Sequence, residues 1–153
     1  MIYYCDSSAV SKVYLDEAGS IFMRNIRRNS PRDDLFINDI AGPEVFSALH
    51  RRFRNGDLTQ EVFSEARKDF RRDYMEFFHR VSLADSIIAL AMELIEKHPL
   101  RGYDSVQLSS ALNLQFTLRA FNGQEVHFVG SDKVLNNAAK NEGLTVINPS
   151  EQQ

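Results

Sequence analysis

The sequence predicts an α/β fold, a three-layer α/β/α sandwich around a central, mainly parallel sheet of about four or five strands. Three observations carry this. Short β-prone apolar runs alternate with helical patterns along the whole chain. Alternation of this kind requires helical crossovers, and hence a parallel sheet covered on both faces. One stretch, from Asp104 to about Leu118, is apolar on most sides, as a helix packed centrally against a sheet must be.

Taken in order, Ile2 to Cys5 is the first β-prone run, and Ser7 or Ser8 can cap a short helix through Tyr14 by accepting a bond from a free backbone N–H. A second helix is expected from about Gly19 to Arg28, followed by a polar stretch, Asn29 to Asp34. Leu35 to Ile40 reads as a buried strand. Pro43 suits the first turn of the next helix, where its missing N–H costs nothing. That helix carries Val45, Phe46, Leu49 and Phe53 on one side and stops at Asn55-Gly56.

Thr59 then caps a long helix whose apolar stripe runs through Phe63, Ala66, Phe70, Phe77 and Val81. Ser82 to Lys97 is a further helix, broken by His98-Pro99. Beyond the Asp104 helix, Val126 to Val129 is a strand, Lys133 to Glu142 a helix closed by Gly143, and Thr145 to Ile147 a last short strand. No repeat, low-complexity segment or linker interrupts the chain. A single domain over residues 1–149 is expected, with a short tail at 150–153.

Four acidic residues, Asp6, Glu44, Asp104 and Asp132, sit where an apolar run gives way to a helix or where a helix begins. In an α/β sheet, strand C-terminal ends and helix N-terminal ends share one edge, where ligands bind. Carboxylates converging there repel one another unless a cation offsets them. Mg²⁺ or Mn²⁺, hard ions that prefer oxygen ligands, are the natural occupants. Each acid alone reads equally as a helix cap or a first-turn residue favoured by the helix dipole.

Composition bounds the remaining possibilities. With 43% hydrophobic and 25% charged residues, the chain is that of an ordinary globular protein. No apolar run approaches a membrane span, and the single cysteine, Cys5, excludes an internal disulfide framework, so a reducing cytoplasm is the expected location. Cys5 lies within the first strand and reads as a buried, inert thiol. The net charge of −3 offers no overall basic field for nucleic acid. Arginines do cluster, at Arg24 to Arg32, Arg51 to Arg54 and Arg67 to Arg72. A basic rim and solvated helix faces account for them equally well. His50, His79, His98 and His127 show no ligand spacing, and there is no glycine-rich phosphate loop or His-Glu-x-x-His helix. Tyr74, Met75 and Phe78 add apolar bulk beyond one stripe of the long helix, as do Phe46, Leu49 and Phe53 near the Glu44 end. A groove for an amphipathic partner segment is expected there.

The segments around the acids resemble the PIN domain family of metal-dependent ribonucleases, and within it the VapC-type toxins of toxin–antitoxin pairs. The likeness rests on Tyr4-Cys5-Asp6-Ser7-Ser8-Ala9, Pro43-Glu44-Val45-Phe46-Ser47-Ala48-Leu49, Leu100 to Leu108, and Phe128 to Leu135, with the ending Ala138-Ala139, Glu142-Gly143-Leu144 and Asn148-Pro149. It covers essentially the whole chain, in order. The resemblance implies a PIN-like fold, an Mg²⁺- or Mn²⁺-dependent cleavage of RNA, and catalytic acids at Asp6, Glu44, Asp104 and Asp132. Asp6, Asp104 and Asp132 become the metal ligands, and Ser8 a supporting hydroxyl. It further implies a small antitoxin with a basic tail and a homodimer. Ala41 and Asn38 depart from the family pattern, which often carries a hydroxyl residue at each place. Without the resemblance, another metal-dependent phosphohydrolase or a catalytically silent scaffold of the same fold stays open.

Overall fold

The computed structural model describes residues 1–152. Five strands form one sheet, β1 (Ile2–Cys5), β2 (Leu35–Asn38), β3 (His79–Val81), β4 (Val126–Val129) and β5 (Thr145–Ile147), all parallel and in the order β3-β2-β1-β4-β5. Seven α-helices connect them: α1 (Ser7–Tyr14), α2 (Ser20–Asn29), α3 (Ala41–Arg54), α4 (Gln60–Glu76), α5 (Asp85–Lys97), α6 (Gly102–Asn122) and α7 (Lys133–Asn141). The expected three-layer α/β/α sandwich is what forms.

Side chains along a strand alternate between faces, and β1 shows what that divides. Tyr3 and Cys5 join a core with Val10, Ile37, Leu49, Phe63 and Phe70, under α1 to α4. Ile2 and Tyr4 join the opposite core with Leu94, Leu108, Phe128 and Leu135, under α5 to α7. Because β1 is buried on both faces, its run is apolar throughout, as a central parallel strand requires. The chain moves outward from β1 through β2 to β3, then returns to the other side of β1 for β4 and β5. The direction of winding therefore reverses between β1 and β4, and crevices in doubly wound sheets open at such a reversal.

Several elements differ from the sequence expectation. The long helix does not run to Val81. It stops at Glu76, where the amides of Phe77 and Phe78 both bond to the Asp73 carbonyl at 2.9 Å. His79–Val81 then forms the edge strand β3 against Phe36–Asn38. Phe77 repeats the helical spacing from Phe70 and so hides the break, and a three-residue edge strand carries too little alternation to announce itself. β2 ends at Asn38 rather than Ile40, α5 starts at Asp85 rather than Ser82, and α6 runs from Gly102 to Asn122. The cap of α1 is Asp6, with Ser7 already helical.

The expected partner groove is filled from within. Leu49 is fully buried, Phe53 stacks on Phe63 with centroids 4.3 Å apart, and Phe78 is buried. Tyr74 lies against Gly42 and donates to the Asp39 carbonyl at 2.8 Å, leaving only Met75 of that group exposed. Pro149–Glu151 forms a 3-10 turn whose Pro149 packs against Gly19, and Ser150 shares a hydrogen bond with Ser131. Gln153, the last residue of the expected tail, lies outside the described residues. No helix among the described residues is long and apolar enough to cross a membrane.

Candidate active site

All four acids line one cavity of about 690 Å³ at the β1/β4 reversal. Asp6 and Asp132 are the N-caps of α1 and α7, directly after β1 and shortly after β4. Glu44 and Asp104 lie in the first turns of α3 and α6. Four helix N-termini therefore aim partial positive charge at the same space, which favours carboxylates there. The Asp6 amide donates to the Val129 carbonyl at 3.0 Å, tying the two strand ends together beneath the cavity.

Capping and site chemistry coexist at Asp6. Its Oδ1 accepts from the Ala9 amide at 2.8 Å and from the Ser8 hydroxyl at 2.7 Å, which leaves Oδ2 outside the cap. Burial, first, and then the charges of Asp104 and Glu44 push its pKa up to about 6, against those two hydrogen bonds. The Asp104 carboxyl is also raised, by burial and then by Asp132, with Arg101 opposing. Asp132 uses its Oδ1 to cap the Leu135 amide at 2.8 Å. Among the described ion pairs, none engages any of the four acids.

The close packing behind Asp6 explains a glycine. A Cβ at Gly130 would stand 2.7 Å from Asp6 Oδ2, 3.0 Å from the Phe128 ring and 3.1 Å from Asn136 Oδ1. Gly130→Ala is therefore expected to displace the Asp6 carboxylate from its cap and destabilise the fold by about 1–3 kcal/mol. Thermal melting checks this, and a variant as stable as the parent would show that the carboxylate relaxes freely.

Among the described residues, no three His, Cys, Asp or Glu side chains are grouped tightly enough to enclose a metal ion alone. The acids ring the cavity rather than meeting at a point. Their chemistry nonetheless suits a hard cation. The four acids and the neighbouring serines offer carboxylate and hydroxyl oxygens, no described ion pair engages those acids, and waters or phosphate oxygens can complete such a shell.

Residues absent from the sequence expectation complete the site. Gln107, Ser7, Arg51, Arg101 and Tyr103 line the same cavity. Gln107 follows Asp104 by three residues and Arg51 follows Glu44 by seven, so helical periodicity places each on its acid's face. That signal was present in the sequence. Asn38 is fully buried away from the cavity, donating to the Ser110 hydroxyl at 2.6 Å and accepting from the Ile40 amide, so it braces β2 to α6. No histidine lines the cavity. His79 and His98 bond Asp33 and Glu142, and His50 packs on Phe63. Cys5 is buried, and burial pushes its thiol pKa up, as suits an inert core residue.

No family model matches the chain. Two curated relatives, Ribonuclease VapC45 and Ribonuclease VapC49 of Mycobacterium tuberculosis, are each 33% identical over 111 residues, 72% of this chain and 75% of theirs. Solved structures share the fold. FitAcB from Neisseria gonorrhoeae superposes with a TM-score of 0.68 at 10% identity, over 98% of this chain and 99% of that one. FitAB bound to an IR36 DNA fragment has the same score and identity, over 99% and 98%. PAE2754 from Pyrobaculum aerophilum scores 0.61 at 18% identity, over 97% and 90%. A one-third identity sustained across most of both chains, on a PIN-like sheet with acids at its reversal, means that this chain belongs to the VapC-type ribonucleases of the PIN domain family.

Proposed function

We propose that this protein is a metal-dependent endoribonuclease that acts as a toxin on RNA. The observation that supports this best is the convergence of four carboxylates, unpaired by any described cation, on one cavity. Asp6, Asp104 and Asp132 would hold Mg²⁺ or Mn²⁺, which supplies Lewis acidity to a phosphodiester. Glu44 orients the attacking water, whose oxygen joins phosphorus as the bond to a ribose oxygen breaks. Ser8 keeps Asp6 in place by its hydrogen bond. Arg51 and Arg101, exposed at the rim, attract the flanking phosphates, and the exposed ring of Tyr103 offers a stacking surface for a neighbouring base. Kinship with VapC ribonucleases also supports restraint by a small antitoxin with a basic tail, since an arginine can bond a carboxylate in two-pronged fashion. Assembly as a symmetric dimer belongs to the same reading.

Stability should then depend on pH with a defined sign. Below the ordinary carboxylate range Asp6 is protonated in both folded and unfolded chains and has no effect. Between there and its folded pKa of about 6, the unfolded chain ionises first, so stability falls as pH rises. The loss is complete above about 6 and amounts to roughly 3 kcal/mol. Mg²⁺ competes with that proton, so its stabilisation should be larger at pH 7.5 than at pH 5. At a hundredfold excess over Kd it reaches about 2.7 kcal/mol. Differential scanning calorimetry with and without Mg²⁺ and Mn²⁺ measures both quantities. No response to either ion at either pH would favour the silent scaffold instead.

A further inference from the structure

Beside the acids runs a chain of hydrogen bonds, buried at Tyr4 and Gln107 and part-buried at Ser7 and Glu44, that the hydrolytic reading does not use. The Tyr4 hydroxyl, wholly buried on β1, donates to Gln107 Oε1 at 2.7 Å. With its oxygen so engaged, the Gln107 amide must turn Nε2 the other way. Its two N–H groups reach Glu44 Oε2 at 3.0 Å and the Ser7 hydroxyl at 2.9 Å. Ser7 in turn donates to the same Glu44 oxygen. Every proton is accounted for: one from Tyr4, two from Gln107 and one from Ser7, with Glu44 accepting twice on a single oxygen.

One orientation of the amide is favoured. A flipped amide would set Oε1 against the Glu44 carboxylate, acceptor against acceptor, and lose that bond, whereas the Tyr4 and Ser7 hydroxyls pair with either end of the amide. Gln107 is only 2% exposed, which makes that conflict costly. The four residues come from β1, α1, α3 and α6, so the chain couples the central strand to the helix that carries Glu44. All bonds fall on Oε2, and none described here engages Oε1.

We infer that Gln107, its amide oxygen held by Tyr4, is a positioning residue that locks Glu44 with one carboxylate oxygen held and the other presented to the reacting water. Buried polar partners of this kind hold a reactive group within the narrow limits that catalysis requires. The inference rests on the ribonuclease reading, because it assigns Glu44 a role in that reaction.

A double-mutant cycle on RNA cleavage tests it. Gln107→Met keeps the side-chain shape and removes every polar contact. It should lower kcat about 10- to 100-fold while leaving KM for RNA unchanged. Tyr4→Phe removes one hydroxyl and should give a smaller loss in kcat alone, and it keeps the test available should Gln107→Met fail to fold. In a Glu44→Gln background, either change should cost no more than about twofold further, because its effect passes through Glu44. If the changes lower only Tm, or multiply the Glu44→Gln defect by their full single-variant factors, the network is a brace of the fold and the inference is overturned. A parent protein that leaves RNA intact removes the reaction and the inference together. A parent that cleaves while Gln107→Met matches its kcat overturns the inference alone.

Discussion

Replacing Asp104 with Asn is expected to abolish RNA cleavage while leaving the fold intact. The substitution removes one charged oxygen at nearly constant volume, in the first turn of α6 and on the wall of the acidic cavity. If Asp104 helps to hold the cation, losing it should cost on the order of 10³-fold in rate, about 4 kcal/mol of transition-state stabilisation. Stability should move the other way. Burial and Asp132 hold the Asp104 carboxyl above its ordinary pKa, so the ionised form is disfavoured in the folded protein. The Asp104→Asn change should therefore leave the metal-free protein as stable as the parent, or more so, and shrink its gain from Mg²⁺. Asp132→Asn should behave alike, because an amide oxygen can still cap the Leu135 amide. An Asp104→Asn protein that cleaves RNA at the parental rate would sink the assignment.

Asp73→Ala should produce the largest loss of stability among single polar substitutions away from the cavity. Asp73 sits on α4 with its side chain only 5% exposed. Arg27 of α2 grips it with two bonds, at 2.9 and 3.1 Å, and the Tyr14 hydroxyl of α1 donates to it at 2.8 Å. Burial raises its pKa, but those hydrogen bonds and the charges of Arg27 and Arg72 outweigh burial and bring it below the ordinary value. The sign follows: its stabilisation is full above the ordinary carboxylate range and fades as pH falls through the lowered pKa. Alanine would leave Arg27 and the Tyr14 hydroxyl unpaired where three helices meet. Breaking one side of a buried pair costs about 3–5 kcal/mol, and partial exposure of Arg27 places this case near 3. Tm should drop by roughly 10 °C, with Tyr14→Phe costing only about 1 kcal/mol. Equal melting curves for Asp73→Ala and the parent would show that the cluster is solvated in solution.

Much of this protein follows from local sequence. Alternating apolar runs and amphipathic stretches sufficed for the three-layer fold, because a strand buried on both faces must be apolar throughout and a covering helix must carry a stripe. Asp6 and Asp132 were visible as acids after strands, and Glu44 and Asp104 as acids at helix starts, because the chemistry of a helix N-terminus is itself local. Other features have no local signature. β3 is a strand only because β2 offers it a partner, and Phe77 continues the preceding helical spacing across the break. Phe46, Leu49, Phe53 and Tyr74 look alike in sequence whether they face a partner or a core, and packing buried Leu49 and laid the other three, partly buried, against the core. Asp73 looks like one more acid on a charged helix until Arg27 and Tyr14 approach it, from 46 and 59 residues away. The pairing of Tyr4 with Gln107 spans 103 residues. Sequence by itself determined the elements other than β3 and the edge where the acids gather, since these depend on neighbours along the chain. Only the tertiary structure decided which polar groups hold those acids in place, since a hydrogen bond depends on distances that folding alone sets.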